Sequence, residues 1–203
     1  MNKTATIILV TLLVIVGGYF VLRKDTANVP VPNKQNNVPE LATYSDPSGL
    51  TFEYRTGQNG YVIDEVFPSG NTSNSTTFLR SINLMQAEDA SNEPPVGGEG
   101  PQMISVHIYQ NTKNQSASVW AQANPNSSFI NQKLGETKET VVGGANAVRY
   151  MADGLYAADV VVIAHGGFIY VMQGMFIDES SQIRKDFEPF LASVKFVQTP
   201  EQQ

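Results

Sequence analysis

The sequence predicts an α+β protein: one mainly antiparallel β-sheet with covering layers on both faces, carried behind a single N-terminal transmembrane helix. Three observations point there. Apolar and polar residues alternate along several segments of residues 44–197, the period of half-buried strands. The segment Asp159–Gly174 is apolar on both of its faces. A charge-free stretch runs from Thr4 to Leu22 and is closed by Arg23 and Lys24.

That stretch comes first in the chain. At 1.5 Å per helical residue it reaches roughly 28 Å, close to the ~30 Å hydrocarbon core of a bilayer. A cleaved signal peptide has a shorter apolar region, about 7 to 15 residues, and a small-x-small cleavage site. Here Gly17-Gly18 is followed by bulky Tyr19, Phe20, Val21 and Leu22, so residues 1–24 are expected to stay as a signal anchor, with residues 4–22 in the membrane. A pilin-type leader would need a glycine before a Phe-Thr-Leu-x-x-Glu pattern, which is absent. Residues 25–43, with Pro30, Pro32 and Pro39 among Asn33, Asn36 and Asn37, form a tether, because proline-rich polar chain stays extended. Residues 198–203 are expected as a disordered tail.

Within 44–197, Leu50, Phe52 and Tyr54 alternate with Thr51, Glu53 and Arg55, and Ile104, Val106 and Ile108 with Ser105, His107 and Tyr109. Residues 77–85 and 137–142 carry weaker strand patterns. In Asp159–Gly174 two apolar runs flank Gly166-Gly167, a two-residue turn able to supply φ > 0. Pairing across that turn sets His165 against Phe168, Ile163 against Tyr170 and Val161 against Met172, and both faces must then be covered. A helix capped by Ser180 supplies Ile183, Phe187, Phe190, Leu191 and Val194 at helical spacing. Pro189 interrupts it, so Glu188-Pro189 is expected to mark a kink or a second short helix. A shorter helix over 116–123 carries Trp120, expected in the core. Gln86–Pro101 is a long polar loop, and 71–77 a hairpin loop.

Several of these segments together resemble the PsbP-like family, relatives of an extrinsic subunit of photosystem II. The opening Tyr44-Ser-Asp46-Pro-Ser-Gly49-Leu-Thr-Phe52-Glu-Tyr54 is similar to that family's first strand and its aspartate-to-glycine turn. Tyr150-Met-Ala-Asp153-Gly154-Leu-Tyr156 is similar to its mid-domain strand and turn, and Asp186-Phe187 through Phe196 to its last helix and strand. Where the family often has proline and then tryptophan after the first strand, this chain has Arg55-Thr-Gly57 and later Tyr61. It has no chloroplast-type targeting peptide. The resemblance implies an α/β/α sandwich around the antiparallel sheet and a mostly non-enzymatic role.

Composition narrows the chemistry. With 203 residues and 41% hydrophobic content the chain suits one globular domain with appendages. The absence of cysteine excludes disulfides, thiolate nucleophiles and zinc–thiolate sites, and two histidines exclude a three-histidine metal centre. A net charge of −6 argues against nucleic acid as a partner. His165-Gly166-Gly167 resembles the oxyanion glycines of lipases, but no Gly-x-Ser-x-Gly elbow accompanies it, and the hairpin accounts for both glycines. His107 and His165, if brought together with Asp159 or Asp64, would suit zinc or iron, although their spacing is no local ligand motif. Glu88, Asp89, Glu93 and Glu99 could hold calcium in the 88–99 loop, without the regular calcium-loop spacing. Asp64 and Glu65 point to opposite faces of a strand and cannot act as a pair. Asp153-Gly154 is expected as a turn with glycine at φ > 0.

No catalytic or cofactor-binding residue is assigned, and no cofactor is expected. The expectation is a single-pass protein of the cell membrane with its domain outside the cytoplasm, an accessory module binding a protein partner of the envelope or a small ligand. Residues 1–40 carry Lys3, Arg23, Lys24 and Lys34 against Asp25 and Glu40, a balance of +2, so the remainder holds −8. Arg23 and Lys24 by themselves favour a cytoplasmic domain; the short N-terminus, single apolar helix and long tether favour an external one. The rival functions are a structural scaffold of an envelope complex and a hydrolase or metal-dependent enzyme.

Overall fold

The structure is a computed structural model that describes residues 40–68, 77–90 and 100–197. The expected anchor, the tether up to residue 39, the tail at 198–203, residues 71–76, and Glu93 and Glu99 lie outside the described residues. Among the described residues no helix is long and apolar enough to cross a membrane. All of them belong to one compact unit, Val38–Gln203.

In chain order the elements are β1 (Glu40–Ser45), β2 (Leu50–Thr56), β3 (Tyr61–Val66), β4 (Phe78–Gln86), α1 (Ala87–Ala90), β5 (Met103–Gln110), α2 (Ala117–Ala123), α3 (Pro125–Ser128), a 3-10 turn (Ile130–Gln132), β6 (Lys133–Val142), β7 (Ala145–Asp153), β8 (Ala157–His165), β9 (Phe168–Phe176), α4 (Gln182–Ser193) and β10 (Lys195–Phe196). The strands make a seven-stranded sheet, β3-β4-β5-β9-β8-β7-β6, and a three-stranded sheet, β1-β2-β10. Every pairing is antiparallel. The first strand therefore does not join the main sheet, as a single sheet would require. Glu40–Thr43, expected as the end of the tether, are strand.

The β8–β9 hairpin sits at the middle of the large sheet and pairs in the register that its glycine turn implies, His165 with Phe168 through Val161 with Met172. Gly166 and Gly167 have φ of 58° and 80°, the two positive values that a tight type I′ turn needs. Val162 and Val171 are wholly buried. One core cluster gathers Val161, Ile163, Tyr170 and Met172 with Leu50, Phe52 and the α4 residues Ile183, Phe187 and Phe190. The second gathers Val160, Val162, Ile169 and Val171 with Trp120 of α2. The covering layers are thus α4 plus the small sheet on one face, and α2–α3 on the other.

Helix α4 starts one residue later than expected: the Ser181 side chain accepts from the Arg184 N–H. It also runs through Pro189 without a break. Proline removes only the bond to the Lys185 carbonyl and strains one turn, about 3 kcal/mol. Burial of Ile183, Phe187, Phe190 and Leu191, roughly 1.5–3 kcal/mol each, outweighs that.

Gly49 and Gly174 are among the glycines dictated by space. Gly49, at φ 90°, lies in the turn that joins β1 to β2, where a Cβ would stand 2.3 Å from the carbonyl oxygen of Val197, just after β10. A Cβ on Gly174 would stand 2.8 Å from Cγ of Phe187, so this glycine lets α4 rest directly on β9. Gly154 does not have the positive φ expected of it; a Cβ there would instead meet Gln132 Oε1 at 2.9 Å.

Phe187→Ala is expected to cost about 3–5 kcal/mol and Gly174→Ala about 1–3 kcal/mol in urea denaturation followed by Trp120 fluorescence. The double variant should lose clearly less than the two singles together, because truncating Phe187 removes the ring that the new Cβ would meet. Simple additivity would mean that α4 does not seat on Gly174.

Candidate functional site

The small sheet and the main sheet meet imperfectly, and a cleft opens between them. Strand β10 pairs with β2 only at Leu50 and Thr51. Beyond those two residues the edge of β2 faces helix α4 instead of a strand. There the Ser193 hydroxyl accepts from the Glu53 N–H at 2.9 Å and is 3.3 Å from the Glu53 carbonyl, closing one residue of open edge. Past it, Tyr54 and Arg55 of β2, Asp186, Pro189 and Phe190 of α4, and Leu84 and Ile104 of the main sheet enclose about 370 Å³. Leu41, 66% exposed, forms the lip.

One polar group of side chains closes the inner end. The Tyr61 hydroxyl donates to Asp186 Oδ2 at 2.7 Å, Gln182 donates to Asp186 Oδ1 at 3.0 Å, and Arg55 pairs with the same carboxylate. Burial first, and then the bond to Asp186, pushes the Tyr61 hydroxyl above its ordinary range, so it remains a donor at any physiological pH. These groups neutralise one another. The cleft offers a largely apolar lining that ends in the Arg55–Asp186 ion pair, with Glu53 and Ser193 also in its wall, an arrangement suited to binding.

The residues singled out from sequence lie elsewhere. His107 points to the α2 face, in the same alternation as Tyr109, whereas Asp159 and His165 share the opposite face with Val161 and Ile163. Asp159 and His165 are themselves six residues apart on one strand, roughly 20 Å. Asp64 sits on β3, two strands from His107. The structure thus does not bring the two imidazoles and a carboxylate together, and among the described residues no three His, Asp or Glu side chains converge. Glu88 and Asp89 lie on α1.

Each of the three has other work. Asp159, 3% exposed at its side chain, accepts from Arg149 Nε at 2.8 Å and from Arg184 Nη1 at 2.8 Å. Arg149 also reaches Glu188, and Arg184 reaches Glu179 at 3.0 Å, so the network pins α4 to β7 and β8. His165 is exposed and stacks on Phe196 at 4.5 Å. His107 is half-buried against Phe78 and Phe129. The Gln173 amide nitrogen lies 2.7 Å from its Nε2; with the amide as donor, the ring accepts there and carries its proton on Nδ1. Burial pushes the His107 imidazole down to about 4. Trp120, as expected, is core, 3% exposed and 4.9 Å from Tyr109.

Removing the Asp159 carboxylate leaves two arginines facing a buried void. Asp159→Ala should therefore cost about 3–5 kcal/mol, against little for Glu179→Ala at the exposed end. His107 sets a pH dependence. The unfolded chain, with an imidazole near 6.5, takes up a proton before the native state does. Stability should fall as pH drops from about 6.5 to about 4, by roughly 3 kcal/mol, and then level off. His107→Phe should remove that component of the urea-midpoint profile; an unchanged profile would place the imidazole in water.

No protein-family model matches the chain, and no curated protein matches it. Its fold does match a solved one. The solution structure of cyanobacterial PsbP (CyanoP) from Synechocystis sp. PCC 6803 aligns over 80% of this chain and 96% of its own, with a TM-score of 0.51 and 14% sequence identity. At that identity the likeness is one of architecture. The domain has a PsbP-like fold.

Proposed function

We propose that this chain is a membrane-anchored accessory module without catalytic activity, whose external domain binds a protein partner or small ligand at the β2–α4 cleft. The observation that carries the reading is the cleft itself: about 370 Å³ with a largely apolar lining, ending in an Arg55–Asp186–Tyr61 group in which the opposite charges pair with each other and the tyrosine hydroxyl donates to the carboxylate. Such a lining rewards desolvation of an apolar group and supplies little that would act on it. A PsbP-like fold fits an accessory role. The anchor rests on the charge-free stretch of residues 4–22, and the external orientation on the short N-terminus and long tether that follow. An enzymatic reading would gain support from a pocket combining His107 or His165 with free carboxylates, and neither histidine lines the cleft. A scaffolding role would work through the anchor alone.

These readings separate in native membranes. A photoreactive residue at Leu41 should crosslink a discrete partner, while one at Val141, 63% exposed at the far end of the strands, should not. Exchange of the anchor for an unrelated membrane helix should leave the Leu41 crosslink intact; its loss would favour scaffolding. Carbonate washing should leave the full-length chain in the membrane, and protease added to intact cells should remove a tag placed after Gln203. Release by carbonate, or full protection of the tag, would overturn the anchor or the orientation respectively.

A further inference from the structure

A second cavity lies on the other face of the main sheet, away from the cleft. It holds about 340 Å³ where β5, β7, β8 and β9 end, beneath the Asp153–Tyr156 turn. Its walls are Phe129, Met103, Met175 and Leu155, the last 69% exposed at the rim. No charged side chain lines it. Its one buried polar wall is the Gln173 amide, 4% exposed, which meets His107 through its nitrogen. A primary amide has two N–H donors and an acceptor oxygen, and among the described residues His107 is its one side-chain partner.

Phe129 adds an independent sign. It holds φ 62° and ψ 13°, the left-handed region that a bulky residue avoids. The conformation is held by its neighbours: Ser128, fully buried, donates from Oγ to the Ala121 carbonyl at 2.8 Å, and the Tyr150 hydroxyl donates to the Ser128 carbonyl at 2.5 Å. This strained backbone turns the Phe129 ring toward the cavity and His107. Backbone strain that the surroundings enforce is concentrated at binding and functional positions.

We propose that this cavity binds a small neutral molecule with a flat aromatic body and one hydrogen-bonding group, received by the Gln173 amide. Charge would be costly there, because nothing lining the cavity compensates a buried ion. The two thioethers and the phenyl ring favour an aromatic body, since sulfur packs well against ring edges and the unbranched methionines adapt to its outline. The His107 contact fixes the amide, so its remaining oxygen and N–H are presented in one orientation. The site shares no lining residue with the cleft and stands whether or not the cleft binds a partner.

The test uses the full-length chain in lipid nanodiscs with 13C-methyl methionine, which gives six probes. Benzamide, benzoate and toluene are close in shape and differ in charge and hydrogen bonding. Benzamide should shift the Met103 and Met175 methyls in a saturable way and leave Met172, sealed on the opposite face, unmoved. Benzoate should bind about tenfold more weakly or worse. Toluene should fall between them in the native chain, and in Gln173→Met it should equal benzamide. Should that variant fail to fold, the benzamide–benzoate comparison in the native chain decides alone. The proposal is overturned if about 10 mM benzamide, ample for a ligand of this size, leaves both methyls in place. Equal binding of benzoate, or shifts confined to other methionines, would overturn it too.

Discussion

Val160, Val161, Val162 and Ile163 are four consecutive residues with no exposed surface, and Ile169, Tyr170, Val171 and Met172 of the partner strand are sealed in the same way. A strand can be buried on both sides only if each face of its sheet receives a layer. This demand organises the chain. On one side it recruits α4 and the small sheet, on the other α2 and its continuation through α3. Each buried side chain of this size contributes roughly 1.5–3 kcal/mol, so the hairpin at the centre of the sheet adds substantially to its stability. Gly174 then sets how closely one layer approaches, because Phe187 occupies the volume that any side chain there would need.

The cleft follows from an economy in that layer. Helix α4 and β10 are one continuous segment, and β10 is two residues long. The small sheet therefore runs out of strand at Thr51, while β2 continues to Thr56. A longer β10 would have closed the edge with main-chain bonds; here a serine hydroxyl and a salt bridge stand in its place. The joint between sheets is still secured at its other end. Tyr170 donates to the Ser48 carbonyl at 3.2 Å, the Val197 N–H to the Gly49 carbonyl at 2.8 Å, and Arg80 lies 3.2 Å from the buried Asp46 carboxylate. One end of the small sheet is locked and the other stands open.

How much of this was legible in the sequence depended on how local the cause was. The β8–β9 register was legible because turn, pairing and both apolar faces lie within Asp159–Gly174. Helix α2 was legible from Ser116 and the tryptophan it positions. β1 was not, since Glu40–Ser45 is an edge strand with alternate residues only half buried and its composition continues the tether. β6 appeared only in its last residues, because an edge strand with most of its residues exposed has no apolar face to display. Pro189 misled, as the local penalty is outweighed by packing that sequence does not reveal. The PsbP-like resemblance implied layers around one antiparallel sheet and gave no sign of the separate three-stranded sheet. The cleft was illegible: Tyr61 and Asp186 are 125 residues apart, and neither carries a periodic or motif signal. The histidine–carboxylate grouping failed on parity, which strand pairing decides and spacing alone does not.

That same parity relates the two cavities. Met103 lines the aromatic-type cavity and Ile104, the next residue of β5, floors the cleft. Gln173 faces the first while Gly174 seats the helix that bounds the second. Successive side chains on a strand point to opposite faces, so the sites stand back to back across a single sheet, separated by one residue step on two of its central strands. The sheet there is paired on both sides, and a bulky change on one face is transmitted as a backbone shift to the other. The most informative substitutions are consequently those at the outer rims, Leu41 for the cleft and Leu155 for the cavity, where exposure uncouples each site from the strands that join them.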